Sequence, residues 1–199
     1  MVEHYFSEKP STEFSKNLIT AVLLGVEFKF FTAKSVFSKS RVDKASKLLI
    51  ENVEVKQGWN VLDLGCGYGV IGIALAKVYN CKVWMTDINK RAVTLAKLNA
   101  KLNNVKVKIL QGWLYQPVKH LKFDAIVVNP PISAGRSVCF EIIEKAPEHL
   151  KNQGSLQLVA RHKKGGAMLE KKMLEVFGNV QVVAKKSGFR VYKSYALGP

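Results

Sequence analysis

From Gly58 onward the chain alternates short apolar runs, rich in β-branched residues, with stretches long enough for helices, and this alternation limits the fold more than any other feature. Strands are predicted at Asn60 to Leu64, Lys82 to Thr86, Val105 to Leu110, Asp124 to Val128, Ser155 to Ala160, Asn179 to Ala184 and Phe189 to Tyr195. Helices are predicted at Val70 to Tyr79, Lys90 to Asn103, Ser137 to Lys151 and Gly166 to Phe177. A strand-helix-strand rhythm builds a parallel sheet covered by helices on both faces. The last two strands depart from it, because only Lys185, Lys186, Ser187 and Gly188 separate them. That length fits a hairpin and not a crossover helix, so the final strand runs antiparallel to its neighbour.

Residues 1–57 read differently and form an N-terminal extension ahead of a core at 58–199. A helix is expected near Glu13 to Gly25, followed by the aromatic-rich stretch from Phe28 to Phe37. A second helix, Asp43 to Asn52, has an apolar side formed by Ala45, Leu48, Leu49 and Ile50. The extension carries no repeat and no flexible linker, so it is expected to pack on the core as a substrate-side cap.

The 199 residues suit one domain with a substantial core, and no apolar run approaches the roughly 18 residues needed to cross a bilayer. Acidic residues near the start and the lack of an apolar core there speak against a secretory signal, so a cytoplasmic location is expected. The cysteines, Cys66, Cys81 and Cys139, are odd in number and have no close pair, which speaks against a disulfide framework or a zinc site. They read as reduced, unreactive thiols. The formal net charge is +16, and residues 151–199 hold ten Lys or Arg against two Glu, half of the excess in the final quarter. Clustered positive charge of this kind is the footprint of a polyanion such as a nucleic acid, the alternative being a lysine-rich surface that serves solubility.

Two loops carry the chemistry. Asp63-Leu64-Gly65-Cys66-Gly67-Tyr68-Gly69 follows the first core strand, where the glycines let the backbone turn tightly and approach a ligand. Asp87 ends the next strand, where a carboxylate can accept hydrogen bonds from both hydroxyls of a ribose. The second loop is Asn129-Pro130-Pro131-Ile132, after the run Ala125 to Val128. Two prolines rigidify this loop and remove two N–H donors, leaving acceptors at the rim. The Asn129 side-chain oxygen and the Pro130 carbonyl can accept hydrogen bonds from a planar amino group and turn its lone pair toward an electrophile. Such a reaction needs positioning rather than a strong base or a metal.

The first loop resembles motif I of S-adenosylmethionine-dependent methyltransferases, and the sheet with its antiparallel end resembles their Rossmann-like class I fold. The resemblance implies that Asp63 orders the loop and helps to bind the ammonium group of the cofactor, S-adenosyl-L-methionine. It implies that Gln111, Gly112 and Trp113 lie where the adenine is contacted, with Gly65, Cys66, Gly67, Gly69, Asp87, Ile88 and Asn129 completing the cofactor set. Trp113 reads equally well as a packed core residue. The second loop resembles the N-P-P-aromatic signature of enzymes that methylate exocyclic or amide nitrogens. Ile132 departs from it, so the ring that stacks on a flipped base has to come from elsewhere, with Phe30, Phe31 or Phe37 as candidates. The departure disfavours adenine N6 and leaves guanine N2 and cytosine N4 open.

The runs Gly67 to Ile73 and Asn129 to Gly135 resemble the small-subunit rRNA guanine-N2 methyltransferases and a small archaeal single-domain relative. The likeness covers roughly residues 28–199. It implies an rRNA methyltransferase acting on free RNA or a ribosomal particle. Lys39, Arg41, Arg161, Lys163 and Lys164 fall on loops or strand ends expected on the crevice side and are candidate phosphate contacts, while Arg136 reads equally as a phosphate or base contact and as surface charge at a helix start. A glutamine-modifying protein methyltransferase would use the same acceptors, and a noncatalytic RNA-binding module would share the charge.

Overall fold

The computed structural model describes residues 16–33 and 41–197; Phe37 and Lys39 lie outside the described residues. The described chain opens with a hairpin of β1 (Lys16–Leu23) and β2 (Val26–Ala33), where a helix was expected over Glu13 to Gly25. Leu24 and Gly25 have φ of 52° and 77°, the pair of left-handed residues that a two-residue hairpin turn requires. The strand reading also fits the residues: Ile19, Ala21 and Leu23 point inward while Leu18, Thr20 and Val22 face out.

The main sheet contains β3 (Asn60–Leu64), β4 (Lys82–Asp87), β5 (Lys108–Gln111), β6 (Phe123–Val128), β7 (Leu150–Arg161), β8 (Gln181–Lys186) and β9 (Phe189–Tyr195). Their order across the sheet is β5-β4-β3-β6-β7-β9-β8. The first five are parallel, and β9 pairs antiparallel with both β7 and β8, the latter through a turn of only Ser187 and Gly188, two residues shorter than expected because β8 runs on to Lys186. The order reverses between β3 and β6, and in such sheets ligands bind at the carboxyl ends of the strands flanking this switch point.

The helices are α1 (Lys44–Asn52), α2 (Val70–Tyr79), α3 (Lys90–Leu102), α4 (Arg136–Lys145) and α5 (Ala167–Phe177). Strand alternation separates two cores. Val61, Val83, Met85, Val127, Val159 and Val191 face the hairpin and α1 to α3. Leu62, Leu64, Ile126, Val128, Leu158 and Tyr192 face α4 and α5. The helix expected to run to Lys151 stops at Lys145; a short 3-10 turn holding Pro147 follows, and β7 begins at Leu150.

The hairpin is fixed through two buried asparagines of α3. Asn99 accepts from the Phe31 amide at 2.7 Å and donates to the carbonyls of Phe31 and Tyr68 at 3.0 and 2.8 Å. Asn103 pairs with both backbone groups of Lys29 in the same way, so side-chain amides close the edge of β2. None of the described helices is long and apolar enough to cross a membrane. Asn99→Ala leaves the buried Tyr68 carbonyl and both part-buried backbone groups of Phe31 without these partners and is expected to lower the unfolding free energy by about 2–3 kcal/mol, measured by urea denaturation. A loss below about 0.5 kcal/mol would show that the hairpin is held by its apolar contacts alone.

Candidate active site

The turn from β3 into α2 is organised by a carboxylate. Asp63, 1% exposed beneath the glycine loop, accepts from the Gly72 amide at 2.8 Å in the first turn of α2. The loop amides are also committed within the protein. Gly65 and Cys66 donate to the Thr86 carbonyl at 2.8 and 2.9 Å, Gly67 donates to Asp87 Oδ2 at 2.8 Å, and Gly69 donates to the Cys66 carbonyl at 2.9 Å. A dinucleotide fold leaves such amides and the helix N-terminus to a pyrophosphate. Here backbone carbonyls take the Gly65, Cys66 and Gly69 amides and the acids Asp87 and Asp63 take those of Gly67 and Gly72, which leaves these donors unavailable to a phosphate. Gly69 adopts φ of 94°, and a Cβ there would lie 2.8 Å from Met85 Cε, so close packing as well as the turn requires glycine.

A cavity of about 1110 Å³ opens above this loop at the carboxyl ends of the strands. Its volume exceeds the roughly 300–1,000 Å³ typical of a site for one small ligand. On one side lie Gly65, Cys66, Gly67, Asp87, Ile88, Gly112 and Trp113, and on the other Asn129, Pro130, Pro131, Ile132, Arg161 and Lys164. Asp63 Oδ1, Asp43 Oδ2, Thr86 Oγ1 and the Tyr68 hydroxyl are buried without hydrogen-bond partners. Asp63 lies beneath the loop and outside the lining, whereas the Asp43 and Asp87 carboxylates line the crevice and suit the positive charges of a sulfonium and an ammonium, so the residues present fit S-adenosylmethionine.

Burial pushes the Asp63 carboxyl from 3.8 up to about 7; the Gly72 amide opposes the rise and the Asp87 charge adds to it. Burial also raises the Cys66 thiol well above its usual value, with the charges of Asp87 and Asp63 adding to the effect, which leaves it an inert part of the loop.

The reaction loop is fixed from the opposite end of the sequence. Asp43 caps α1 by accepting from the Ser46 amide at 2.9 Å. The Asn129 side-chain NH₂ donates to Ser46 Oγ at 3.1 Å and to Asp43 Oδ1 at 3.4 Å. A carboxylate oxygen can only accept, so these bonds set the amide's orientation and leave Oδ1 as its acceptor. The Pro130 carbonyl accepts from the Ile132 amide at 2.9 Å, and Pro131 has φ −77° and ψ 75°, an inverse γ-turn. One lone pair of that carbonyl is therefore engaged and the second remains.

Several predicted contacts fall elsewhere. Gln111 lies outside the cavity lining and donates to the Ile88 carbonyl at 3.2 Å, bracing the Asp87 turn. Trp113 lines the cavity, and its indole N–H donates to Glu141 of α4 at 3.3 Å. Arg136 and Lys163 are exposed and outside the lining, while Arg41 lies within it. Phe30 supplies no ring to the site: it is fully buried and packs edge-on against Tyr68, 5.8 Å between centroids. Phe31 is half-buried outside the lining, with its backbone bonded to Asn99. Sequence reasoning missed Asp43 and Ser46, which read only as part of the helix Asp43 to Asn52, and Phe189, which lines the cavity from the last strand.

The sheet order and the carboxylate-seated glycine loop define a class I S-adenosylmethionine-dependent methyltransferase. The family model of the methyltransferase small domain matches residues 27–193, and the chain belongs to that family. It is 42% identical over 200 residues to the uncharacterized protein YbxB of Bacillus subtilis, covering 98% of each chain. It is 36% identical to ribosomal RNA small subunit methyltransferase C of Aeromonas hydrophila, over 80% of this chain and 46% of that one. Among solved structures, the T. thermophilus 16S rRNA N2 methyltransferase RsmC, in complex with AdoMet and guanosine, superposes with a TM-score of 0.81 at 27% identity. The superposition covers 90% of this chain and 50% of that one, so the chain spans about half the length of these rRNA methyltransferases.

Because the folded pKa of Asp63 stands above its unfolded value, the folded state holds a proton between about pH 4 and 7 that the unfolded state releases. Its contribution to stability is present below this window and is lost as pH rises through it. Asp63→Asn keeps the acceptor for Gly72 and removes the titration. The stability of wild type relative to the variant is expected to fall by about 1.4 kcal/mol per pH unit across the window, measured by urea unfolding at several pH values. Parallel curves would place the titration outside this range.

Proposed function

We propose that the protein methylates the exocyclic N2 amine of a guanine in small-subunit rRNA. The observation that carries this reading is the orientation of Asn129. With its NH₂ held by Ser46 and Asp43, the amide presents an oxygen at the mouth of a cavity large enough for a cofactor and a base. An amine N–H donating to that oxygen localises the nitrogen lone pair, and the Pro130 carbonyl, with one lone pair left over from its bond to Ile132, takes the other N–H in this reading. Bound in the crevice, S-adenosylmethionine supplies the electrophilic methyl. The chain's own part is to seat the loop on Asp63, place Asp87 toward a ribose, and hold the acceptors rigid so that little reorganisation is needed.

The choice of RNA and of guanine is supported by the net charge of +16 and by the two relatives named as rRNA methyltransferases, one of them solved with guanosine. We assign residues 58–199 to the catalytic core and residues 1–57 to an extension whose α1 anchors the reaction loop. Arg41, Arg161 and Lys164, at the cavity, are assigned to the RNA side.

Asn129→Ala is expected to lower kcat on unmodified small-subunit rRNA by about 10²- to 10³-fold, with the dissociation constant for S-adenosylmethionine changed less than about threefold. Equal loss of both would make Asn129 a cofactor contact rather than the acceptor for the substrate.

A further inference from the structure

Ile132 leaves the acceptor loop without the ring expected at its fourth position, yet the cavity contains a planar surface on another strand. Arg161 ends β7 and Phe189 begins β9, and the two are directly paired in the antiparallel ladder. The Arg161 guanidinium lies over the Phe189 ring, 4.8 Å from its centroid. Both residues line the cavity that holds Asn129.

Register places them on the correct face. Val127, Val159 and Val191 belong to the core on the α1 side, and Asn129, Arg161 and Phe189 share their alternation. Val128 lies opposite Leu158, so Arg161 stands two residues beyond the level of Asn129 on the neighbouring strand. Strand geometry puts their Cα atoms about 8 Å apart, and Phe189 one further strand spacing away. Arg161 has no carboxylate partner among the described residues. Ile132 packs toward the backbone that follows Arg161: a Cβ on Gly165 would lie 3.5 Å from Ile132 Cγ2. The side chain at the fourth position thus abuts the segment that carries the guanidinium.

From this geometry we infer that Arg161, held flat by Phe189, is the platform on which the target nucleobase stacks, taking the place of the missing aromatic after Pro131. Guanidinium planes and aromatic rings are the two surfaces on which proteins stack unpaired bases, and an arginine backed by a ring presents the first already ordered. The inference rests on the proposed reading of the substrate as a nucleobase amine. It differs from a phosphate contact at Arg161, for which charge alone would suffice.

The test compares wild type with Arg161→Lys, which keeps the charge and loses the plane, and Phe189→Leu, which keeps the apolar volume and loses the ring. Guanosine, which carries no phosphate, is titrated calorimetrically in the presence of S-adenosylhomocysteine, and kcat/KM is measured on unmodified small-subunit rRNA. Both variants are expected to lose about tenfold in guanosine affinity and in kcat/KM, with S-adenosylhomocysteine affinity unchanged as the control for folding. If Arg161→Lys matches wild type in both assays while wild type labels rRNA, Arg161 is a phosphate contact and the stacking platform is overturned, with the proposed function left standing. If wild type labels no RNA and binds no guanosine, the proposed function falls and the platform with it.

Discussion

The hydrogen bond from the Gly72 amide to the buried Asp63 carboxylate, 2.8 Å long, is the constraint on which the rest of the site depends. It places an acid at the N-terminus of α2, where the helix dipole favours negative charge, and so fills the position that a nucleotide phosphate takes in related α/β folds. The loop amides are committed within the protein as well, to the Thr86 and Cys66 carbonyls and to the Asp87 carboxylate. The crevice sets the carboxylates of Asp43 and Asp87 beside Arg41, Lys44, Arg161 and Lys164, in a protein of net charge +16. Local acids favour a small cation, while the wider positive field gathers a polyanion.

The second constraint joins the ends of the fold. Asn129 lies 83 residues from Ser46 and 86 from Asp43, yet the cap of α1 fixes its side chain. The other end of α1 is locked as well, because the fully buried Gln157 on β7 binds both backbone groups of Glu54 at 2.8 Å. Lys193 on β9 forms an ion pair with the Glu54 carboxylate. The helix is therefore clamped to the sheet at both ends, and the acceptor loop inherits its rigidity. Asp43 serves as helix cap and anchor for Asn129 with one oxygen, while its second remains buried and unpartnered beside the cavity.

The parallel strands were legible in the sequence because each is a short apolar run closed by polar or glycine residues, and the terminal hairpin because four residues cannot hold a crossover helix. The two chemical loops were legible because glycine and proline act through the backbone and reveal their geometry locally. The first hairpin was not: Leu24-Gly25 lacks the Asn-Gly or Asp-Gly signal of such turns, and the run before it is apolar enough to read as a helix. The roles of Asp43, Ser46, Arg161 and Phe189 were hidden for a different reason. Each depends on register between segments far apart in the chain, and nothing in local periodicity carries that information. The ring lost at Ile132 was sought in the nearby phenylalanines of the N-terminal segment, but Phe30 is committed to the core against Tyr68.

The central claim is that an amide oxygen fixed by α1 directs a methyl to the exocyclic amine of guanine. Its most direct test is nucleoside mass spectrometry of unmodified small-subunit rRNA after incubation with the purified protein and isotopically labelled S-adenosylmethionine. Label in N2-methylguanosine is the predicted result. Label in N4-methylcytidine, or in protein alone, would contradict the account.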